Sequence, residues 1–150
     1  MSYFCFSFVA MKFVFFAVVV FFLSLFLPSC TKDSTYIPYV PVNIQINLQN
    51  PDYVNIRSIG GWVYITGGSK GLIVYRADLN LFMVYDRHCP YNPTDSCSTV
   101  NAVGVTLSAV DPCCGSEFQL TDGSVLKGPA TRALQHYQTS YDGNILSINN

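Results

Sequence analysis

What most constrains this chain is the punctuation of the stretch that begins at Val42. Short β-branched and aromatic runs are cut again and again by Gly and Asp. Val42, Ile44, Ile46 and Leu48 alternate with Asn43, Gln45 and Asn47, the period-two pattern of a strand with one face buried. Asn50-Pro51-Asp52 ends it. Gly60-Gly61 leads into Trp62–Thr66, Gly67-Gly68 turns the chain, and Gly71–Tyr75 and Leu81–Tyr85 lie on either side of a break at Asp78. Val103–Val110 and Glu117–Leu120 continue the series. Asp122-Gly123 is a tight hairpin signal returning into Ser124–Lys127. Gly128-Pro129-Ala130 reads as a loop, and His136–Ser140 pairs with Asn144–Ile148 around Asp142-Gly143. No helical periodicity longer than a turn follows the leader. The pattern predicts an all-β domain, a meander of short antiparallel strands. Trp62, Tyr64, Tyr75, Tyr85, Tyr137 and Tyr141 fall at strand positions and are expected in the core and in cross-strand pairs. His136, alone in a strand pattern, is read as packed or solvent-facing rather than as a ligand.

The leader is different in kind. Phe13 to Pro28 is apolar except for Ser24, Lys12 is the sole charge before it, and Leu27-Pro28-Ser29-Cys30 follows. A basic start, an apolar run and small residues ahead of a cleavage point describe a secretory signal, expected as a helix over residues 1–29. The run falls short of a comfortable membrane span. Leu-x-Ser-Cys resembles the lipobox of bacterial lipoproteins, in which the cysteine is acylated and becomes the mature N-terminus; that assigns lipidation to Cys30. The competing reading is an uncleaved anchor. Met11-Lys12 would make a more typical start than Met1. Residues 30–41, with Pro38 and Pro41, read as a tether, and residues 42–150 as the domain. The expected partner is the membrane, held through lipid on Cys30, at the periplasmic face or the cell surface of the envelope. From Cys30 onward seven basic residues face nine acidic ones, a net charge of −2, with no basic stripe. That argues against nucleic acid.

Six cysteines are present; Cys5 leaves with the leader and Cys30 takes lipid, so Cys89, Cys97, Cys113 and Cys114 remain. An even number in an oxidising compartment reads first as two disulfides. A bond between Cys113 and its neighbour Cys114 is disfavoured, because adjacent Cα atoms lie about 3.8 Å apart and a disulfide prefers roughly 4.4–6.8 Å.

The order of features resembles the Rieske family. There, Gly-Gly and a Lys-Gly strand pair precede a first ligand loop, and a second loop, Cys-Pro-x-His-Gly-Ser-x-Phe, follows. An Asp-Gly hairpin, a Gly-Pro-Ala loop and a final strand pair complete the pattern. This chain offers Gly60-Gly61, Lys70-Gly71, Cys89-Pro90, Gly115-Ser116-Glu117-Phe118, Asp122-Gly123, Gly128-Pro129-Ala130 and Leu134, from about Val42 to Ile148. The resemblance implies a Rieske-like antiparallel β sandwich with two cysteine-bearing loops. It places the four cluster-ligand positions at Cys89, Tyr91, Asp111 and Cys114. A Rieske [2Fe–2S] centre takes two thiolates on one iron and two imidazoles on the other, so only Cys89 suits its slot.

In respiratory members a further cysteine in each loop ties the loops together. Carried over, this implies Cys97–Cys113, leaving Cys89 to pair with Cys114 as a staple in place of the cluster. The swapped pairing, Cys89–Cys113 with Cys97–Cys114, competes. Two other readings stand beside the staple. One is a metal centre, zinc or an iron–sulfur cluster, using Cys89, Cys113, Cys114 and His88 or Cys97, although the spacings lack the Cys-x₂-Cys pairs of strong zinc signatures. The other is a redox-active disulfide, which needs a thiolate of lowered pKa such as Cys89 flanked by Arg87 and His88. No Ser-His-Asp order, nucleotide loop or carboxylate pair stands out. The expectation is a non-catalytic envelope module that binds a protein partner and carries no cofactor; the alternative is a small electron carrier with a metal at the same loops.

Overall fold

The computed structural model describes residues 36–104 and 107–150. The segment expected to be a signal, Cys30 with its expected lipidation, and the first half of the expected 30–41 tether lie outside the described residues. Ten strands and one short 3-10 helix are present among those described. They run β1 (Asn43–Asn47), the helix (Pro51–Arg57), β2 (Trp62–Ile65), β3 (Leu72–Asp78) and β4 (Leu81–Asp86), then β5 (Asn101–Ala102), β6 (Ser108–Val110), β7 (Glu117–Gln119), β8 (Val125–Lys127), β9 (His136–Tyr141) and β10 (Ile145–Asn149). The fold is all-β, with every described strand pair antiparallel.

A six-stranded sheet has the order β1-β10-β9-β4-β3-β2, and a four-stranded sheet the order β5-β6-β7-β8. Alternation along β3 explains how they share the interior. Leu72 and Val74 face one cluster with Ile46, Leu48, Ile56, Phe82, Val84, Leu146 and Ile148. Ile73 and Tyr75 face a second with Tyr85, Cys89, Val100, Ala109, Phe118, Leu120 and Leu134. β3 is thus covered on both sides, which is why its apolar run is continuous rather than alternating. The second cluster runs on into Cys89, so the small sheet and the first cysteine loop share one core.

Two elements depart from the sequence reading. The Asn50-Pro51-Asp52 stop opens a helical segment: the Asn50 side chain accepts from the Asp52 N–H, Pro51 stands at the start, and the run extends to Arg57. The cap and the proline were its signal. Val103–Val110 is not one strand either. Gly104 adopts φ +51°, Val103 N–H donates to Ser108 O at 3.0 Å, and β5 pairs with β6 across that turn. The expected aromatic pairs form: Trp62 lies opposite Tyr75, the Trp62 and Tyr64 rings are 5.0 Å apart, and Phe82 meets Tyr141 at 5.0 Å. His136 is exposed, its ring 5.6 Å from that of Tyr85. Residues 36–41 of the tether carry no regular structure and are pinned at Val40 and Val42 by the Asn150 side chain.

Candidate functional site

The two cysteine loops are built from the strands that precede them. β4 ends at Asp86, whose carboxylate is 1% exposed. It accepts from Ser69 N–H (2.6 Å), Lys70 N–H (3.2 Å), His88 N–H (2.8 Å) and Tyr137 O–H (3.0 Å). Burying a carboxylate without such partners would cost several kcal/mol; here it fastens the β2–β3 turn to the root of the first loop. Gly68, at φ +60°, faces this carboxylate so closely that a Cβ would meet it. Lys70 then reaches over the loop and donates to the carbonyls of Asp95 (3.0 Å), Ser96 (3.3 Å) and Ser98 (2.9 Å). Ser98 Oγ in turn donates to the carbonyls of Cys89 and Tyr91, both at 3.2 Å.

The second loop closes on itself. Asp111 Oδ1 accepts from Cys113 N–H at 2.8 Å, Gly115 N–H donates to Asp111 O at 2.8 Å, and Asp111 N–H donates to Ser116 O at 2.9 Å. Gly115 sits at φ +76°, a conformation that glycine adopts without strain. A disulfide between Cys97 and Cys113, with Cα atoms 5.7 Å apart, joins the tips of the two loops. The second bridge expected from the sequence, Cys89–Cys114, is not formed: both are free thiols, with Sγ atoms 3.9 Å apart.

What converges between the loops is Cys89, Asp111 and Cys114, with ligand atoms all within 4.8 Å of one another. Cys89 and Asp111 are fully buried and Cys114 is half-buried. Cys114 Sγ contacts Asp111 Oδ2 at 3.3 Å and Ser116 Oγ at 3.1 Å, and accepts from Ser116 N–H at 3.4 Å. Burial pushes the Cys89 thiol well above the ordinary thiol range; hydrogen bonding to Asp111 adds to this and the Tyr91 N–H opposes it. That is the reverse of what a reactive thiol needs.

Arg87 and His88, the proposed activators, are engaged elsewhere. The Arg87 guanidinium stacks on Tyr64 at 3.9 Å and donates to Val100 O. The His88 ring lies between Ser69 Oγ (2.8 Å) and Pro93 O (2.7 Å). Of the metal set Cys89, Cys113, Cys114 and His88, the structure therefore brings only Cys89 and Cys114 into the three-residue group, and Cys113 is spent on the disulfide. Asp111, which the family resemblance puts in a slot where a thiolate is wanted, is the third member; its position three residues before Cys114 was the available signal.

The donor set does not fit a Rieske cluster. That centre requires two imidazoles on one iron; the corresponding positions are Tyr91, 42% exposed, and Cys114. The carboxylate of Asp111 replaces one of the two thiolates.

No family model matches the chain, and no curated protein does. Among solved structures, the chain is similar to the plasma-membrane Rieske protein PetC3 of the cyanobacterium Synechocystis PCC 6803. The two share 27% identity and superpose with a TM-score of 0.51, over 71% of this chain and 97% of that one. The ferredoxin of carbazole 1,9a-dioxygenase from Nocardioides aromaticivorans IC177 follows at 14% identity, TM-score 0.47, over 73% and 97%. The E. coli protein NirD follows at 11%, TM-score 0.43, over 73% and 98%.

Proposed function

From the premise that this is a Rieske-like β domain, we propose that the protein is an exported, lipid-anchored module of the cell envelope that works without a Rieske cluster, as a binding or accessory component rather than an enzyme. One observation carries the reading: the positions that should present imidazole present Tyr91 and Cys114, while both histidines of the chain lie outside the group. Without nitrogen donors the high-potential cluster that defines electron transfer in this fold has no seat. The lipid anchor rests on the signal-like leader and Cys30. The similarity to a protein whose name places it at the plasma membrane supports the same compartment.

The deciding experiment is iron and acid-labile sulfide analysis, with electron paramagnetic resonance after reduction, on the full chain isolated anaerobically from membranes. The expected result is substoichiometric iron and no cluster signal. Two irons and two sulfides per chain, with a reducible cluster signal, would establish the electron carrier and overturn this reading.

A further inference from the structure

We infer that Cys89, Asp111 and Cys114 form a binding site for one thiophilic divalent cation, zinc being the ion their geometry fits. The inference rests on the cluster-free half of the reading above and makes no use of the lipid anchor. Two thiolates on a tetrahedral zinc at about 2.3 Å are separated by about 3.8 Å; Cys89 and Cys114 Sγ are 3.9 Å apart. A disulfide would need about 2.0 Å. In a Rieske centre the slots held here by Cys89 and Cys114 belong to different irons, so sulfurs this close match a single ion and not a two-iron core.

The carboxylate supplies the third donor. Asp111 is fully buried, with Oδ2 at 3.3 Å from Cys114 Sγ, near the sulfur–oxygen edge of about 3.6 Å in a mixed zinc tetrahedron. Its other oxygen is oriented by Cys113 N–H, and the Cys114 sulfur by Ser116 N–H, as outer partners orient metal ligands. A dication in this pocket would neutralise most of the negative charge that two thiolates and a carboxylate bring into a dry interior. Three protein ligands leave the fourth position to water, on the side where Cys114 is partly exposed. Binding sends the two thiol protons to solvent, so affinity rises with pH.

The test uses the full chain in detergent, isolated anaerobically without reductant so that Cys97–Cys113 stays closed, and titrated with cobalt(II) as the probe and then with zinc. One cobalt per chain is expected, with thiolate-to-cobalt charge-transfer absorption that zinc abolishes by displacement. Cys89→Ser and Cys114→Ser should each weaken binding by more than the roughly 10–100-fold that loss of an outer partner costs. Asp111→Asn should weaken it while keeping the charge-transfer band, and Tyr91→Phe should leave it unchanged. If Cys89→Ser fails to fold by circular dichroism, the partly exposed Cys114→Ser decides alone. Cobalt bound without charge transfer, or affinity unmoved by Cys114→Ser, would overturn the site. A Cys89–Cys114 disulfide in the isolated chain, seen by mass after alkylation, would overturn the site and leave the cluster-free module standing. Stoichiometric iron with sulfide would overturn both.

Discussion

Asp86 and Tyr85 are adjacent in β4 and point to opposite faces, and they show how differently two buried polar groups can be supplied. Asp86 has four donors. Replacing it with Ala leaves those donors without their acceptor, at a cost of about 3 kcal/mol; a chemical-denaturation midpoint measured beside the parent chain checks this. Asp86→Ala should also loosen the first cysteine loop, because Lys70 and His88 are placed through the same carboxylate. The Tyr85 hydroxyl is buried without a hydrogen-bond partner among the described residues, and burial raises its pKa above the ordinary phenol range, with Asp122 adding to the effect. Tyr85→Phe should therefore be neutral or stabilise by about 1 kcal/mol, read in the same measurement. A loss of stability would mean that the hydroxyl is satisfied in solution.

At the scale of elements, the hairpins are held at their turns. Asp142 Oδ1 accepts from Asn144 N–H (2.8 Å) and Ile145 N–H (2.7 Å) between β9 and β10, and Asp122 Oδ1 accepts from Ser124 N–H (2.9 Å) and Oγ (2.7 Å) between β7 and β8. Hydrogen bonds from Ile145 and Asn144 lower the Asp142 pKa, and those from the Ser124 side chain and backbone lower that of Asp122. A carboxyl lowered in the folded state binds fewer protons there than in the unfolded chain. The stability it contributes is present above about pH 4 and lost as pH falls through the folded value. The double variant Asp122→Asn, Asp142→Asn should show a flatter decline of urea midpoint below about pH 4 than the parent; an unchanged slope would remove these turns from the acid response. Both turns were legible as Asp-Gly pairs, as were the alternating β1 and the Gly-bounded β2–β4. The helix after Asn50 was marked only by its cap and its proline, being too short for a period to register, and the break at Gly104 hides inside an apolar stretch. At the site, the family pattern located the loops. It could not say whether Cys89 and Cys114 would bond, because that depends on a distance set by Asp86, Lys70 and the Cys97–Cys113 link rather than on spacing along the chain.

For the molecule as a whole, two faces of one sheet serve two cores, and the second is continuous with the cysteine pocket. Changes in the pocket are therefore felt in the core beneath the small sheet. The domain is proposed to stand on a lipid anchor through Cys30. In a bacterial host the full chain should label with fatty acid and partition into detergent, and Cys30→Ser should abolish both. Label retained in Cys30→Ser would place the anchor elsewhere.

Lys70 grips three carbonyls of the first loop from behind, on a footing fixed by Asp86 rather than by anything held between the loops. The receptacle is thus cast before its contents arrive. A cation entering it would find its partners already at their stations, and cutting the Cys97–Cys113 tie would free the rim while the floor stayed put.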